Sequence, residues 1–180
     1  ISHYPVRVPI IDITTIGAGG GSLAAVSSAG ALRVGPHSAG VDPGPACYGR
    51  GGTRPTVTDA NLVLGRLPIS LAGGELSLDL EASRAAVREH VAEPLGLSVE
   101  EAALGIIRIV DENMLGALRV VSVQRGVDPR ELALVPFGGA GPVHGAELAR
   151  LAGIETMLVP SLPGVLSALG FLLADIRQVF

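Results

Sequence analysis

The feature that most constrains this chain is a pattern in its last third. An apolar run at residues 132–136 breaks into Gly138-Gly139-Ala140-Gly141-Pro142. An amphipathic stretch follows, closed by Gly153, and a second apolar run occupies residues 156–160. Strand, glycine loop, helix and strand within about thirty residues form a βαβ unit. Parallel strands cannot be joined by a tight turn, so the connecting helix must pack on the sheet. Pro142 falls in the first helical turn, where its missing N–H costs nothing.

The first third reads differently. Residues 6–13 are rich in β-branched side chains and predict a buried strand. A glycine turn over residues 17–22 leads into two short strands, 23–26 and 31–34. Ser27-Ser28-Ala29-Gly30 supplies the hairpin turn between them. Residues 35–56, dense in Gly and Pro, predict an ordered loop, and residues 59–67 a short helix. Residues 71–77, carrying Gly73-Gly74, read as a linker. Asp79 is placed to cap a helix that Pro94 ends. Ser98 with Glu101 forms a capping box for the strongest helix, whose apolar positions Val99, Ala103, Ile106, Ile107, Val110, Met114, Leu118 and Val121 keep the helical period. Gly126 is its stop. A last helix is expected over 164–173. The predicted fold is α/β: an antiparallel meander plus a parallel βαβ in a mixed, ribonuclease-H-like sheet flanked by helices. Residues 1–180 are expected to form one lobe of a longer protein.

Composition narrows the function. At 48% hydrophobic and 17% charged residues, disorder is excluded. The net charge of -4, without a basic stripe and with 3% aromatics, argues against nucleic acid as a partner. No apolar run reaches the roughly 20 residues a bilayer requires, so no membrane association is expected. All 13 basic residues are Arg, which removes a P-loop lysine and a lysine Schiff base from this segment. Cys47 is the lone cysteine, and Ile1-Ser2-His3-Tyr4-Pro5 carries neither an initiator Met nor a signal core. These point to a reducing, cytoplasmic setting and to a piece of a longer chain.

Two glycine loops carry the chemistry. Asp12, at the end of the first strand, precedes Gly17, Gly19, Gly20, Gly21 and Ser22. Backbone without Cβ atoms can approach an anion closely, and Asp12 is suited to Mg²⁺ or to orienting an attacking group. The dinucleotide fingerprint is not satisfied, because Ser22 stands at the third glycine and a strand follows where a helix is required. The second loop, Gly138, Gly139, Ala140 and Gly141, lies before a helix N-terminus, a favourable seat for a ribose or phosphate. A tight hairpin, or glycines kept for packing, explains either loop alone; together they are harder to dismiss. His37, Asp42 and Asp59, with Cys47, are metal-compatible side chains, although their spacing matches no zinc pattern and loop hydrogen bonding or capping is the plainer role. His144 is placed either to touch a ligand or to sit as a partly exposed helix residue. Asn113 is expected to make a structural hydrogen bond, and Arg50 and Arg54 to be solvated.

The chain resembles the hydantoinase A/5-oxoprolinase family in five blocks that keep the family's order. They are residues 11–22, 33–49 (Arg33-Val34-Gly35-Pro36-His37 to Cys47-Tyr48-Gly49), 56–66 (Thr56-Val57-Thr58-Asp59-Ala60-Asn61 onward), 136–142 and 163–170. The resemblance implies an actin-like ATPase lobe and ATP-dependent opening of a cyclic amide, a hydantoin or 5-oxoproline. Ketone carboxylase subunits share the family, and a non-catalytic ATPase-fold scaffold is the reading from another class. ATP and Mg²⁺ are the implied cofactors, with residues 17–22 on the phosphate side and 138–141 on the adenosine side. The family's first phosphate loop, Asp-x-Gly-Gly-Thr, is absent here. The N-terminal lobe and a hydantoinase B-type subunit or domain are therefore the expected partners, and this piece alone is expected not to turn over.

Overall fold

The computed structural model describes residues 13–175. Strand β1 (Ser22–Val26) and strand β2 (Leu32–Ser38) form an antiparallel hairpin, with Ala24 opposite Val34 and Val26 opposite Leu32. Ser27 closes the turn by accepting from Ala31 N–H and offering its carbonyl to Gly30 N–H. The expected strand over residues 6–13 lies outside the described residues except for Ile13.

Helix α1 (Val57–Val63) starts at a reciprocal box: Thr56 Oγ1 accepts from Asp59 N–H, and the Asp59 carboxylate accepts from Thr56 N–H. The cap is thus Thr56, with Asp59 as its third-position partner, and the helix is shorter than the sequence suggested. The expected linker is a small hairpin, β3 (Ser70–Leu71) against β4 (Leu76–Ser77), turning at Gly73 and Gly74, both at positive φ. Asp79 caps α2 (Leu80–Val87) by accepting from Ala82 N–H.

Pro94 does not end this segment, contrary to expectation. A π-helical turn over Arg88–Ala92 leads into α3 (Glu93–Leu95), and Gly96, left-handed at φ 66°, makes the stop. Proline clashes with the carbonyl four residues back in a regular helix. The wider turn lets Glu93 N–H reach the Arg88 carbonyl ahead of the ring.

Helix α4 (Val99–Val121) carries the predicted Ser98–Glu101 box and runs through the centre of the core. Its Ala102, Ala103, Ile106, Ile107 and Val110 meet Val57, Ala60 and Val63 of α1, Val87 and Val91 from the α2 segment, and Ala24 and Val34 of the hairpin. Burying side chains of this size contributes about 1.5–3 kcal/mol for each Val or Ile. This core fixes α1 against the hairpin, which matters for the site. Asn113 Nδ2 donates to the Val34 carbonyl at 3.4 Å, the structural bond expected of it.

The βαβ unit is present. Strand β5 (Ala133–Leu134) pairs in parallel with β6 (Thr156–Met157), and α5 (Gly141–Ala152) connects them, ending at left-handed Gly153. Helix α6 (Leu166–Leu173) follows. Antiparallel and parallel pairing flanked by helices is the mixed α/β architecture expected; among the described residues the strands form three separate two-stranded pairs. Among those residues no helix is long and apolar enough to cross a membrane.

Candidate functional site

The first glycine loop is held in shape by its own serine. Ser22 Oγ accepts from Gly19 N–H at 3.0 Å and donates to the Gly17 carbonyl at 3.4 Å, while Ser22 N–H donates to the Gly19 carbonyl. Ser22 is buried, so its hydroxyl acts on the loop and not on the cavity described below. The loop is then clamped to α1: the Gly20 carbonyl accepts from Thr58 N–H at 2.8 Å and from Thr58 Oγ1 at 2.9 Å. A Cβ on Gly17 would lie 2.6 Å from Pro36 Cβ, and one on Gly20 would lie 2.8 Å from Thr58 Oγ1. Glycine is therefore a packing requirement at both positions.

The second loop turns at Gly138, which has φ 83° and donates its N–H to the Pro163 carbonyl at 2.8 Å. No side chain caps the helix behind it, so the positive end of α5 is left open.

The two loops meet. A Cβ on Gly20 would come within 3.8 Å of Ala140 Cβ, although the residues are far apart in sequence. Between them lies a cavity of about 360 Å³, within the roughly 300–1,000 Å³ typical of small-molecule clefts. Gly20 and Gly21 line one side, and Gly139, Ala140 and Val143 the other. Thr58 and Asn61 of α1 and Pro45 and Tyr48 of the Gly/Pro-rich loop complete the wall, with Leu67 and Leu71 adding apolar surface. Gly17, Gly19 and Ser22 instead line a smaller neighbouring hollow with Pro36 and Ser38. Gly141 packs near Pro136. Asp12 lies outside the described residues.

Asp59 is the keystone beneath this cavity. Its carboxylate, fully buried, accepts five hydrogen bonds: Ala46 N–H at 3.2 Å, Cys47 N–H at 2.8 Å, Thr56 N–H at 2.8 Å, Thr56 Oγ1 at 2.7 Å and Ser83 Oγ at 2.7 Å. One side chain thus joins the 45–48 loop, the start of α1 and helix α2. Its oxygens are saturated, while His37 and Asp42 are exposed. Among the described residues no three His, Cys, Asp or Glu side chains gather as a metal would require. His37, Asp42 and Asp59, expected as a metal site, therefore do not come together as one among the described residues. Burial, followed by the charge of Asp59 and a hydrogen bond to it, pushes the Cys47 thiol up to about 12. It stays protonated near neutral pH and is no nucleophile.

His144 also departs from expectation. It is 1% exposed, does not line the cavity, and its Nδ1 lies 2.6 Å from Oδ1 of Asp111 on α4. This buried pair pins the first turn of α5 to the central helix. Asp111 carries no signal in sequence beyond a carboxylate on the apolar face of a long helix. Thr58, Asn61 and Tyr48 were likewise not singled out. Their hints are that they fall within the resemblance blocks 33–49 and 56–66 and that a helix start follows closely on the Gly/Pro-rich loop.

The geometry is that of a small-molecule cleft floored by α1 and flanked by two glycine loops. The chain belongs to the hydantoinase/oxoprolinase family, whose model matches residues 1–179. It is 50% identical to the caprolactamase subunit alpha of Pseudomonas jessenii over 97% of this chain and 25% of the relative. It is 42% identical to the acetophenone carboxylase gamma subunit of Aromatoleum aromaticum, over 100% of this chain and 25% of that one. The crystal structure of the ATP-dependent caprolactamase from Pseudomonas jessenii superposes with a TM-score of 0.86 at 50% identity, covering 95% of this chain and 25% of that structure. The chain therefore spans about a quarter of the length of these relatives.

Proposed function

We propose that the chain is the nucleotide-binding part of an ATP-dependent cyclic-amide hydrolase of the hydantoinase/5-oxoprolinase type, built on an actin-like ATPase lobe. The observation that carries this reading is the convergence of the two glycine loops on one cavity. The residues present suit a nucleoside: the open end of α5 favours a polar or anionic group. Apolar walls and Tyr48 suit a flat ring, and Asn61 Oδ1 is a buried acceptor with no partner. In this reading residues 17–22 face the phosphates, 138–141 face the adenosine, and Asp12 holds Mg²⁺. Ser22 acts by shaping its loop.

Bound ATP would supply a phosphoryl group that converts an amide carbonyl oxygen into a leaving group. The contribution of this chain's residues is positional. Gly20 and Gly21 bring bare backbone to the ligand, Thr58 fixes the Gly20 carbonyl, and the walls exclude water from the ring. The N-terminal lobe and a hydantoinase B-type subunit or domain are the proposed partners. The likeness to the caprolactamase supports the hydrolase, and the likeness to the acetophenone carboxylase subunit supports a second reading, a ketone carboxylase subunit.

An ADP-release assay on the full-length protein with its partner subunit separates the two. Stimulation by caprolactam, hydantoins or 5-oxoproline is expected; stimulation only by ketones with bicarbonate selects the carboxylase. Gly139→Val tests the cavity itself. A Cβ there meets nothing within 4 Å, so the backbone accepts it, and the added side chain occupies space beside the cleft that Gly139 lines. Nucleotide affinity by calorimetry should fall at least tenfold, and unchanged affinity would remove the nucleotide from this cavity.

A further inference from the structure

Asn61 has a feature that packing does not explain. It is 3% exposed on the floor of the cleft, in the middle of α1, and its Oδ1 is buried with no hydrogen-bond partner. The surroundings offer little relief: Pro45, Leu67, Leu71 and Val143 are apolar, the Thr58 hydroxyl is already bonded to the Gly20 carbonyl, and the Tyr48 hydroxyl on the same wall makes no bond to it. An unsatisfied buried amide oxygen costs about 1–3 kcal/mol, and a core position would be better filled by Leu. His144 Nε2 is likewise buried without a partner but lies away from the cleft; Asn61 differs in lining it, where a ligand can complete it. No Lys or Arg is among the residues lining this cleft, so this part suits a neutral ring better than a phosphate chain.

We infer that Asn61 is the specificity residue for the purine: its carboxamide pairs with the 6-amino edge of adenine. Turned either way, a primary amide sets one acceptor beside one donor, the complement of an edge that carries an N–H beside a ring nitrogen acceptor. Asparagine reads adenine by the same donor–acceptor pairing in nucleic acids. Thr58, three residues and nearly one turn earlier on α1, locks the first glycine loop through its hydroxyl, so one short helix both shapes that loop and reads the base. This inference rests on the nucleotide assignment above. A lactam presents the same donor–acceptor edge, and the test distinguishes the two.

Isothermal titration of the full-length protein with ADP and with purine riboside diphosphate, which lacks the 6-amino group, probes the edge without any mutation. Wild type should prefer ADP by about 5- to 150-fold, the range for one well-made pairing. Asn61→Leu should abolish that preference by weakening ADP and leaving the analogue nearly unchanged; Asn61→Ala serves if Leu overpacks the floor. Equal affinity of wild type for the two ligands, or an equal loss for both in the variants, would overturn the inference while leaving the nucleotide site standing. No ADP binding by wild type would instead sink the nucleotide assignment and this inference with it. Unchanged ADP binding in Asn61→Leu, with a raised half-saturating lactam concentration in ATP turnover, would give the residue to the substrate and overturn the adenine reading.

Discussion

Replacing Asp59 by Ala removes the acceptor for five donors in one step. The Thr56 and Ser83 hydroxyls can rotate toward other acceptors. The N–H groups of Ala46, Cys47 and Thr56 cannot, because the backbone that carries them is fixed by the 45–48 turn and by the start of α1. Each buried N–H left bare costs about 1–3 kcal/mol, so the three together cost about 3–9 kcal/mol. Domains retain only about 5–15 kcal/mol in total, and single changes above about 4–5 kcal/mol are exceptional. The variant should therefore lose local order in α1 and the 45–48 loop even where the full-length protein still expresses. Hydrogen exchange by mass spectrometry on the full-length protein reads this directly. Amides of α1 beyond Thr58, which make no bond to the Asp59 carboxylate, should lose at least about a hundredfold in protection, since 1.4 kcal/mol is a factor of ten. Asp59→Asn, which keeps one oxygen, should lose less. Protection of α1 within about threefold of wild type in Asp59→Ala would show that the carboxylate is not the tie between loop and helix.

Further outcomes are expected. Asp12→Ala should abolish ATP turnover in the full-length enzyme, and near-normal turnover would remove that residue from the site. His144→Ala leaves the buried Asp111 side chain without its hydrogen-bond partner and should cost about 1–3 kcal/mol, measured by denaturant unfolding of the full-length protein; a loss well below about 1 kcal/mol would mean that the pair does not anchor α5. Gly145→Ala places a Cβ 2.8 Å from Pro136 Cγ and 3.0 Å from Met157 Sδ, an overpacking that should destabilise by about 1–3 kcal/mol and lower the melting temperature. The Cys47 thiol has its folded value raised to about 12, so folding favours the protonated form. Its stabilising contribution is complete below the ordinary thiol range and is lost as pH rises toward 12. Wild type should lose stability through that alkaline window more steeply than Cys47→Ala, and parallel curves would refute the assignment.

Much of this was legible in sequence where the signal is local. The Ser98–Glu101 box, the Asp79 cap, the Gly153 stop and the hairpin turning at residues 27–30 depend on neighbours in the chain, and each appears as read. The linker at 71–77 hid a hairpin because two residues per strand are too few to show an alternation. Pro94 misled because a π turn upstream can absorb its ring, an event set by packing and not by composition. At the site, the glycines of both loops announced themselves by lacking side chains. Thr58 and Asn61 did not, since a polar residue on a short helix gains meaning only once the opposite wall is in place. Asp59 reads in sequence as a ligand or a cap and is a five-fold acceptor, because Ala46 and Cys47 come from one distant turn and Ser83 from helix α2.

The serine latch on the first glycine loop has a thermodynamic corollary. Glycine-rich segments ordinarily wander, and whatever captures them must freeze that motion at an entropic cost. Here the hydroxyl of residue 22 has already done the freezing from within, through Gly19 and Gly17. Removing it, as in Ser22→Ala, should leave every ligand-facing atom in place yet make association entropically costlier, a deficit visible in the calorimetric entropy and nearly silent in the enthalpy.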